Sequence, residues 1–316
     1  MRTKFINSEN VEGFVYDHNL ALKVTGANSK QPGTEYIGGT LDVATDDDCL
    51  NIVTVNFTYV TATTSKGNIN NTFGVLKDII DKNKTVIACG KDSADKVKIS
   101  TALDLNDFFT NRNGKEELVS TKRNQGGFVS FVNRLDEPEK RNKFTCDMLI
   151  NGTKLVEADD ERHIPADYLI VKGAVFNFRN AILPVDFVVK NPGGIKYFES
   201  LEASPSNVVF TKVWGKIASQ TIVDKREEES AFGEAAVREY ERKVREWVIT
   251  GCAKEPYDIS DEVDGFTPDE IRKLLADREV YLADIKKRAE EWQLQKASTP
   301  SISSNIGAAA AGSFNF

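Results

Sequence analysis

The chain has little cysteine, little histidine and no long apolar segment. Its four cysteines are far apart and form no CxxC pair, so neither a disulfide framework nor a zinc-ligand spacing is indicated. No run approaches the roughly 18 apolar residues of a membrane-spanning helix, and the residues after Met1 lack the apolar core of a signal peptide. These absences exclude membrane and disulfide-rich secreted classes and predict a cytoplasmic protein.

Motifs of the common enzyme classes are also missing. The histidines, His18 and His163, have neither the HExxH spacing nor a Ser or Asp partner at a recognisable spacing. The glycine pairs at 38–39 and 193–194 lack the lysine and hydroxyl residue of a phosphate-binding loop. We therefore predict no catalytic residue, no metal ligand and no cofactor, and expect a protein that is not an enzyme.

The net charge of -7 is unevenly distributed. Residues 224–316 carry 14 basic and 20 acidic side chains, whereas residues 1–223 carry 27 basic and 28 acidic ones. A neutral body with an acidic C-terminal third is not typical of a duplex-DNA-binding protein that relies on bulk charge. Local basic strips on the body remain compatible with this distribution.

Residues 1–223 have the composition and spacing of β strands. Segments rich in Val, Ile, Thr and aromatic residues at 14–24, 36–43 and 51–63 are separated by turn residues. A short helical pattern follows at 71–83, and strand-like sequence then resumes. Three strands, a helix and further strands is the order of an oligonucleotide-binding (OB) barrel. We predict a mainly β (α+β) fold with an OB-like β-barrel body, either one elaborated barrel or two divided near 111–126.

Residues 224–296 have a different character and are predicted to be an acidic, largely helical C-terminal region. Thr267-Pro-Asp-Glu270 is a capping box, and it predicts a helical arm over 267–294. The segment 237–249 fits a helix or a strand. Residues 297–316 are rich in Ser, Ala and Gly without periodicity, which predicts a disordered tail.

The segment 208–217 carries the most informative alternation. Its two faces are Val209, Thr211, Val213 and Ile217 on one side and Phe210, Lys212, Trp214 and Lys216 on the other. A row that alternates aromatic residues with lysines differs from a uniformly polar solvent face. It is typical of grooves for single-stranded nucleic acid, because bases stack on rings while ammonium groups contact phosphates. The alternative is that the C-terminal helix covers Phe210 and Trp214.

Two further segments add aromatic and basic residues. Lys172, Phe176 and Phe178 share one strand face that ends at Arg179, although a barrel core that buries both phenylalanines explains the pattern as well. The stretch 136–143 joins two strands and carries Lys140, Arg141 and Lys143, which a solvated hairpin tip also explains. In the first β unit, Tyr16, Phe57 and Tyr59 are weaker candidates for which burial in the core is the favoured alternative. The predicted nucleic-acid-binding residues are Trp214, Lys212, Lys216, Phe210, Lys172, Phe176, Phe178, Arg179, Lys140, Arg141 and Lys143.

Three segments resemble the phage single-stranded-DNA-binding proteins of Gram-positive hosts. They are Val171-Lys-Gly173 with Phe176-Asn-Phe178-Arg179, then Asn191-Pro-Gly-Gly-Ile-Lys-Tyr-Phe198, and Phe210-Thr-Lys-Val-Trp-Gly-Lys-Ile217. The resemblance covers roughly residues 10–290. It implies OB barrels, no catalysis and a role in DNA replication or recombination. A phage-encoded chain would act in the host cytoplasm; the C-terminal region is a candidate contact for replication or recombination proteins, and a homo-oligomer is compatible with the sequence.

The C-terminus departs from the bacterial members of this functional class, which resemble one another in an acidic tip that ends in Phe. This chain ends in Phe316, but its last eleven residues contain no acid, which puts partner recruitment by the tip in doubt. A phage structural or assembly protein that acts through protein–protein contacts is the alternative function. Salt-dependent binding of oligo-dT separates the two, because phosphate contacts release counterions.

Overall fold

The structure is a computed structural model that describes residues 5–27, 29–112, 115–159, 164, 166–228, 236–261 and 265–298. Strands dominate it, as predicted. In chain order the elements are β1 (Asn7–His18), β2 (Ala21–Val24), β3 (Glu35–Ala44), β4 (Ile52–Thr61), α1 (Asn71–Lys82), α2 (Val86–Cys89), β5 (Lys96–Arg112), β6 (Lys115–Phe131), β7 (Asn142–Val156), β8 (Tyr168–Phe176), β9 (Ile182–Val189), α3 (Pro192–Ser200), β10 (Val209–Glu228), β11 (Ala236–Cys252) and α4 (Pro268–Ser298). None of the helices within these ranges is both long and apolar enough to span a membrane.

The first barrel closes from five strands. β1 pairs antiparallel with β3 and with β5, β3 pairs with β4, and β5 pairs with β6. A short parallel pairing of β4 with β6, at Val55 and Asn124, closes the ring. The amphipathic helix α1 connects the third strand to the fourth and buries Leu76 and Ile79 against the barrel. This order of strands and helix is that of an OB barrel.

The second barrel repeats the same arrangement. β7 pairs with β8 and β10, β8 with β9, and β10 with β11, while a parallel contact between Val188 and Val248 closes the ring. α3 occupies the place of α1, and the side chain of Asn191 caps it by accepting hydrogen bonds from the amides of Gly193 and Gly194. Of the two arrangements compatible with the sequence, the body therefore has the one with two barrels.

The barrels join through their first strands, around an approximate two-fold axis. β1 and β7 pair antiparallel, from Asn7 opposite Cys146 to Val11 opposite Asn142. The registers repeat as well, since Phe14 lies opposite Ala44 in the first barrel and Leu149 lies opposite Ala174 in the second. Eleven strands therefore form one continuous sheet that closes twice.

Each barrel also reaches over the other with the hairpin between its fourth and fifth strands. Lys122 on β6 donates a hydrogen bond of 2.6 Å to the carbonyl oxygen of Asp186 on β9. In return, the amide of Ser219 on β10 donates a bond of 2.7 Å to the side chain of Asn51, which precedes β4. Between the barrels, the buried carboxyl group of Glu9 accepts hydrogen bonds from Thr101 of the first barrel and Trp247 of the second.

The C-terminal segment covers part of the second barrel and then follows the first. The rings of Phe5, Phe176, Phe210, Tyr257 and Phe266 form one stacked cluster on the outer face of the second barrel.

α4 begins with the predicted capping box, in which the amide of Thr267 donates to Glu270 and the amide of Glu270 donates to the Thr267 hydroxyl. It is anchored on β5 by an ion pair of 2.9 Å between Arg278 and Asp107, whose side chains are almost fully buried. The predicted helical arm is confirmed.

Two predicted divisions of the chain are wrong. The boundary at 223 falls inside β10, and 236–252 is a strand, so the part of 224–296 before Pro268 is not helical. The segment 236–252 also has apolar residues at helical spacing, but it forms a strand in which alternate residues, among them Trp247 and Ile249, are buried. The suggested subdivision at 111–126 falls on the β5–β6 hairpin, whose polar residues belong to two strands that extend beyond the barrel. The barrels divide at 132–141 instead. Of the predicted tail, Ala297 and Ser298 close α4 and the remainder lies outside the described residues.

Candidate nucleic-acid interface

One outward face runs without interruption across both barrels, because β10, β7, β1 and β5 are neighbours in the sheet. Residues directly opposite in an antiparallel pair point to the same face. Trp214 lies opposite Thr145, Thr145 opposite Ser8, Lys143 opposite Asn10, and Asn10 opposite Ser100. We call this surface the seam face and define it by Trp214, Lys216, Thr145, Lys143, Ser8, Asn10 and Ser100.

Trp214 is the large aromatic residue of the seam face. It is 41% exposed, so the alternative that the C-terminal helix covers it is wrong. Its indole ring lies against the backbone of Gly251 on β11, since a Cβ atom at that glycine would stand 2.5 Å from the ring nitrogen and 2.7 Å from Cε2. The absent side chain at Gly251 thus leaves room for the ring to pack against the strand while much of it remains open to solvent.

Lysines flank this ring. Lys216 is on the same strand, and Lys143 is its neighbour on β7, because Gly215 and Phe144 are directly opposite. Both side chains are exposed, and neither forms an ion pair with a residue that the structure describes. Two free ammonium groups beside an exposed indole can contact phosphates while a base stacks on the ring.

Lys212 lies at the edge of the seam face, where it is half-buried opposite Asp147. The Asp147 carboxylate is fully buried and accepts hydrogen bonds from the amide of Ile6 at 2.8 Å and the hydroxyl of Tyr257 at 3.1 Å. Lys212 therefore marks the point at which the covered part of the barrel begins.

Two of the predicted aromatic residues are not available for stacking. Phe210 and Phe176 are fully buried, and the prediction that they bind nucleic acid is wrong. Phe210 does share the outward face with Trp214, but Tyr257 and Phe266 cover it with ring centroids at 4.8 and 5.2 Å. The inward row is as predicted, with Thr211, Val213 and Ile217 buried, while Val209 is half-buried.

The basic residues before β7 serve the fold rather than the seam face. Arg141 is 6% exposed, pairs with Asp47 at 2.7 Å and donates to the carbonyl oxygen of Asp136. Lys140 pairs with Glu137 at 2.6 Å. The expectation that Arg141 binds nucleic acid is wrong because this side chain is buried, whereas Lys140 is exposed and its role stays a prediction; of the three predicted residues in this stretch, only Lys143 lies on the seam face.

Lys172, Phe178 and Arg179 lie elsewhere on the second barrel. Lys172 is exposed on β8 opposite Asp186. Phe178, 87% exposed, follows β8, and the Arg179 guanidinium lies 5.1 Å from its ring. This pair borders a cleft of about 600 Å³ against α4. The cleft is lined by acidic residues (Asp104, Asp107, Glu270 and Asp277) as well as basic ones (Arg179, Lys273 and Arg278), so it is not a basic surface like the one beside Trp214. The structure therefore does not join this group to Trp214.

The structure also exposes Tyr59, an aromatic residue for which the sequence favoured burial in the core, and pairs it with Tyr36. Tyr59 is 47% exposed, and its ring centroid lies 4.7 Å from that of Tyr36 on the outer side of β3 and β4. Phe57 is buried as interpreted. A bulge between Ile37 and Gly39 shifts the register of β4 and turns Tyr59 outward. A strand pattern read without its partner does not reveal such a bulge.

Two fused OB-type barrels define the class of fold. The chain belongs to the YorF family, whose model matches residues 6–288. No curated protein matches it. Among solved structures, it is similar to the wild-type single-stranded DNA binding protein from Thermus aquaticus, with 10% identity and a TM-score of 0.44 over 82% of this chain and 97% of that one. A deletion mutant of that protein gives the same identity and TM-score over 84% and 99% of the two chains.

Proposed function

We propose that the chain binds single-stranded DNA on the seam face and catalyses no reaction. The observation that carries the proposal is the placement of Trp214, which packs against Gly251, remains 41% exposed and stands beside Lys143 and Lys216, neither of which forms an ion pair with a residue that the structure describes. An aromatic ring held in position loses little freedom when a base stacks on it. Stacking on aromatic side chains together with phosphate contacts is how single strands are bound without sequence preference.

A single strand suits this surface better than a duplex. Stacking on Trp214 requires an unpaired base, and a net charge of -7 disfavours the bulk electrostatic attraction on which duplex binding relies. The positive charge on the seam face is local and comes with an aromatic ring.

The proposal extends to the biological setting. A role in phage DNA replication or recombination in the host cytoplasm, with partner proteins recruited through the region after β11, is supported by the resemblance of 171–179, 191–198 and 210–217 to phage single-stranded-DNA-binding proteins. The two-barrel fold is compatible with that role, although OB barrels also bind other ligands.

The decisive experiment is fluorescence anisotropy of labelled oligo-dT at low salt with the wild type, Trp214→Ala and Tyr281→Ala. Tyr281 is an aromatic residue on α4 with a similar exposed fraction, 47%, and serves as the matched control. We expect Trp214→Ala to lose about 1–3 kcal/mol of binding free energy, which is roughly a fivefold to 150-fold rise in Kd, and Tyr281→Ala to bind as the wild type.

Absence of wild-type binding at low salt would overturn the proposal and favour an assembly protein. A Trp214→Ala variant that is folded and binds normally would remove the seam face as the site. Labelled oligo-rU measured in parallel determines whether DNA is preferred to RNA.

A further inference from the structure

The first barrel carries its own exposed aromatic residue at the end of the seam face. On β6, Val129 lies opposite Ile99 and Gly126 lies opposite Thr101, so Gly127 and Phe128 together face Ser100. This is a β-bulge, a feature that turns a side chain away from the regular pleat. Phe128 is 82% exposed.

The bulge is held in place from inside the barrel. The Thr72 hydroxyl of α1 is 4% exposed, accepts a hydrogen bond of 3.3 Å from the amide of Val129 and donates one of 3.4 Å to the carbonyl oxygen of Gly127. These two peptide groups flank Phe128. Its outward position is therefore set by the packing of α1 on β6.

Phe128 lies at the bulge of its barrel that corresponds to the bulge beside Trp214 in the other, although Phe128 is on the fifth strand and Trp214 on the fourth. Leu103 and Ile217 are equivalent under the two-fold axis, because each is bound by an asparagine of the first strand of its barrel. Three residues before each of them, Ser100 is therefore the equivalent of Trp214. The second barrel also has its bulge there, because Trp214 lies opposite Gly251 and Gly215 opposite Ile249. Each barrel thus presents one exposed aromatic ring at the same bulge between its fourth and fifth strands.

The residues that define the seam face between the two rings include no acidic side chain. Their side chains are short and polar or basic. The neighbouring acidic residues Glu12 and Asp136 both contact the ammonium group of Lys98, at 2.8 and 3.2 Å. From β10 to β6 there are four steps between strands of about 4.8 Å each, so the rings stand about 19 Å apart along the sheet. Up to about six nucleotides at a stacked rise of about 3.4 Å cover that distance.

We infer that Phe128 is a second stacking residue and that one single strand crosses the joint between the barrels, from Trp214 to Phe128, perpendicular to the β strands. The inference rests on the proposed function, since it extends the same site. On this path the single strand passes over β7 and β1, which lie between β10 and β5, and Lys143 on β7 contacts its phosphates.

The test measures oligo-dT affinity as a function of length for the wild type, Phe128→Ala and Phe131→Ala. Phe131 is the matched control, because it is on the same strand, is 39% exposed and lines the groove beside α1 instead of the seam face. We expect Phe128→Ala to weaken dT12 by roughly fivefold to 150-fold and to leave dT3, which reaches one ring only, unchanged. Phe131→Ala should lose thermal stability and bind both oligomers as the wild type.

The outcomes separate this inference from the function on which it rests. If Trp214→Ala weakens dT12 and Phe128→Ala does not, the track across the joint is overturned and the proposed function stands. If the wild type binds no oligomer at low salt, both are overturned. Thermal melts of Phe128→Ala, expected to match the wild type because the side chain is exposed, exclude unfolding as the cause of a loss.

Discussion

Asn7 and Asn142 hold equivalent peptide groups in the two barrels. The Asn7 side chain donates to the carbonyl oxygen of Leu103 at 2.8 Å and accepts from the amide of Leu103 at 3.0 Å. Asn142 makes the same two bonds, of 2.5 and 3.1 Å, to Ile217. Each asparagine ties the first strand of its barrel to the fourth, so the two halves share an interaction and not only a strand order.

We expect Asn142→Ala to lower the free energy of unfolding by about 1–3 kcal/mol, because the buried amide and carbonyl of Ile217 lose their partners. Asn7→Ala should act in the same direction, and Asn106→Ala, an exposed position on β5, should change little. Urea unfolding followed by circular dichroism provides the comparison. Equal midpoints for Asn142→Ala and Asn106→Ala would contradict this account of the joint.

The buried carboxyl group of Glu9 gives the fold a pH dependence. Burial raises the pKa of Glu9 from 4.5 to about 7, although the hydrogen bonds from Thr101 and Trp247 act in the opposite direction. Between these two values the folded protein holds a proton that the unfolded chain has released. The free energy of unfolding therefore falls as the pH rises from about 5 to 7 and levels off above the folded pKa.

The expected fall is on the order of 3 kcal/mol. Urea midpoints at pH 5, 6, 7 and 8 for the wild type and Glu9→Gln measure it, since the amide cannot titrate. The difference between the two midpoints should change across this range: the wild-type midpoint falls relative to that of Glu9→Gln as the pH rises from 5 to 7, and the difference then stays constant up to pH 8. Parallel pH profiles would show that Glu9 does not titrate in this window.

Gly251 provides a way to move the Trp214 ring without removing it. A methyl group at Gly251 overlaps the indole, so Gly251→Ala should push the ring off the strand and weaken oligo-dT binding by roughly threefold or more. Gly152→Ala on β7, where a Cβ atom meets nothing within 4 Å, is the control. Unchanged affinity in Gly251→Ala, with a shifted tryptophan spectrum, would argue that the orientation of the ring is irrelevant.

Lys143 and Lys216 should contribute charge without sequence preference. Each change to alanine should flatten the plot of log affinity against log salt concentration by about 0.7 for every phosphate that the protein no longer neutralises. Lys84→Ala, an exposed lysine between α1 and α2, should leave the slope as it is. Slopes are obtained from anisotropy titrations at four or five salt concentrations. Wild-type slopes in both seam-face variants would remove these lysines from the interface.

The sequence predicts what depends on local pattern. The alternation in 208–217 correctly separates buried Val213 and Ile217 from exposed Trp214 and Lys216, and the capping box locates the start of α4. Period and cap chemistry act over a few residues, so a single sequence contains them.

What the sequence does not reveal depends on distant partners. Phe210 has the alternation of an exposed residue and is buried by Phe266, which is far along the chain. Phe128 is exposed because Thr72 of another element holds its bulge. The pattern of β11 alone fits a helix or a strand. Its inward residue is Trp247, which donates a hydrogen bond to Glu9 on a strand far away in the sequence, and this contact cannot be read from the local pattern.

The most direct test of the central claim is intrinsic fluorescence during titration with oligo-dT, in the wild type and in Trp214→Phe. If bases stack on Trp214, saturation quenches the wild-type emission with the same Kd that anisotropy gives. Trp214→Phe should still bind but lose most of the quenching, because of the two remaining tryptophans Trp247 is buried in the core and Trp292 is on α4, which is not part of the seam face. Binding with no quenching in the wild type, or equal quenching in Trp214→Phe, would contradict the assignment of Trp214 as the stacking residue.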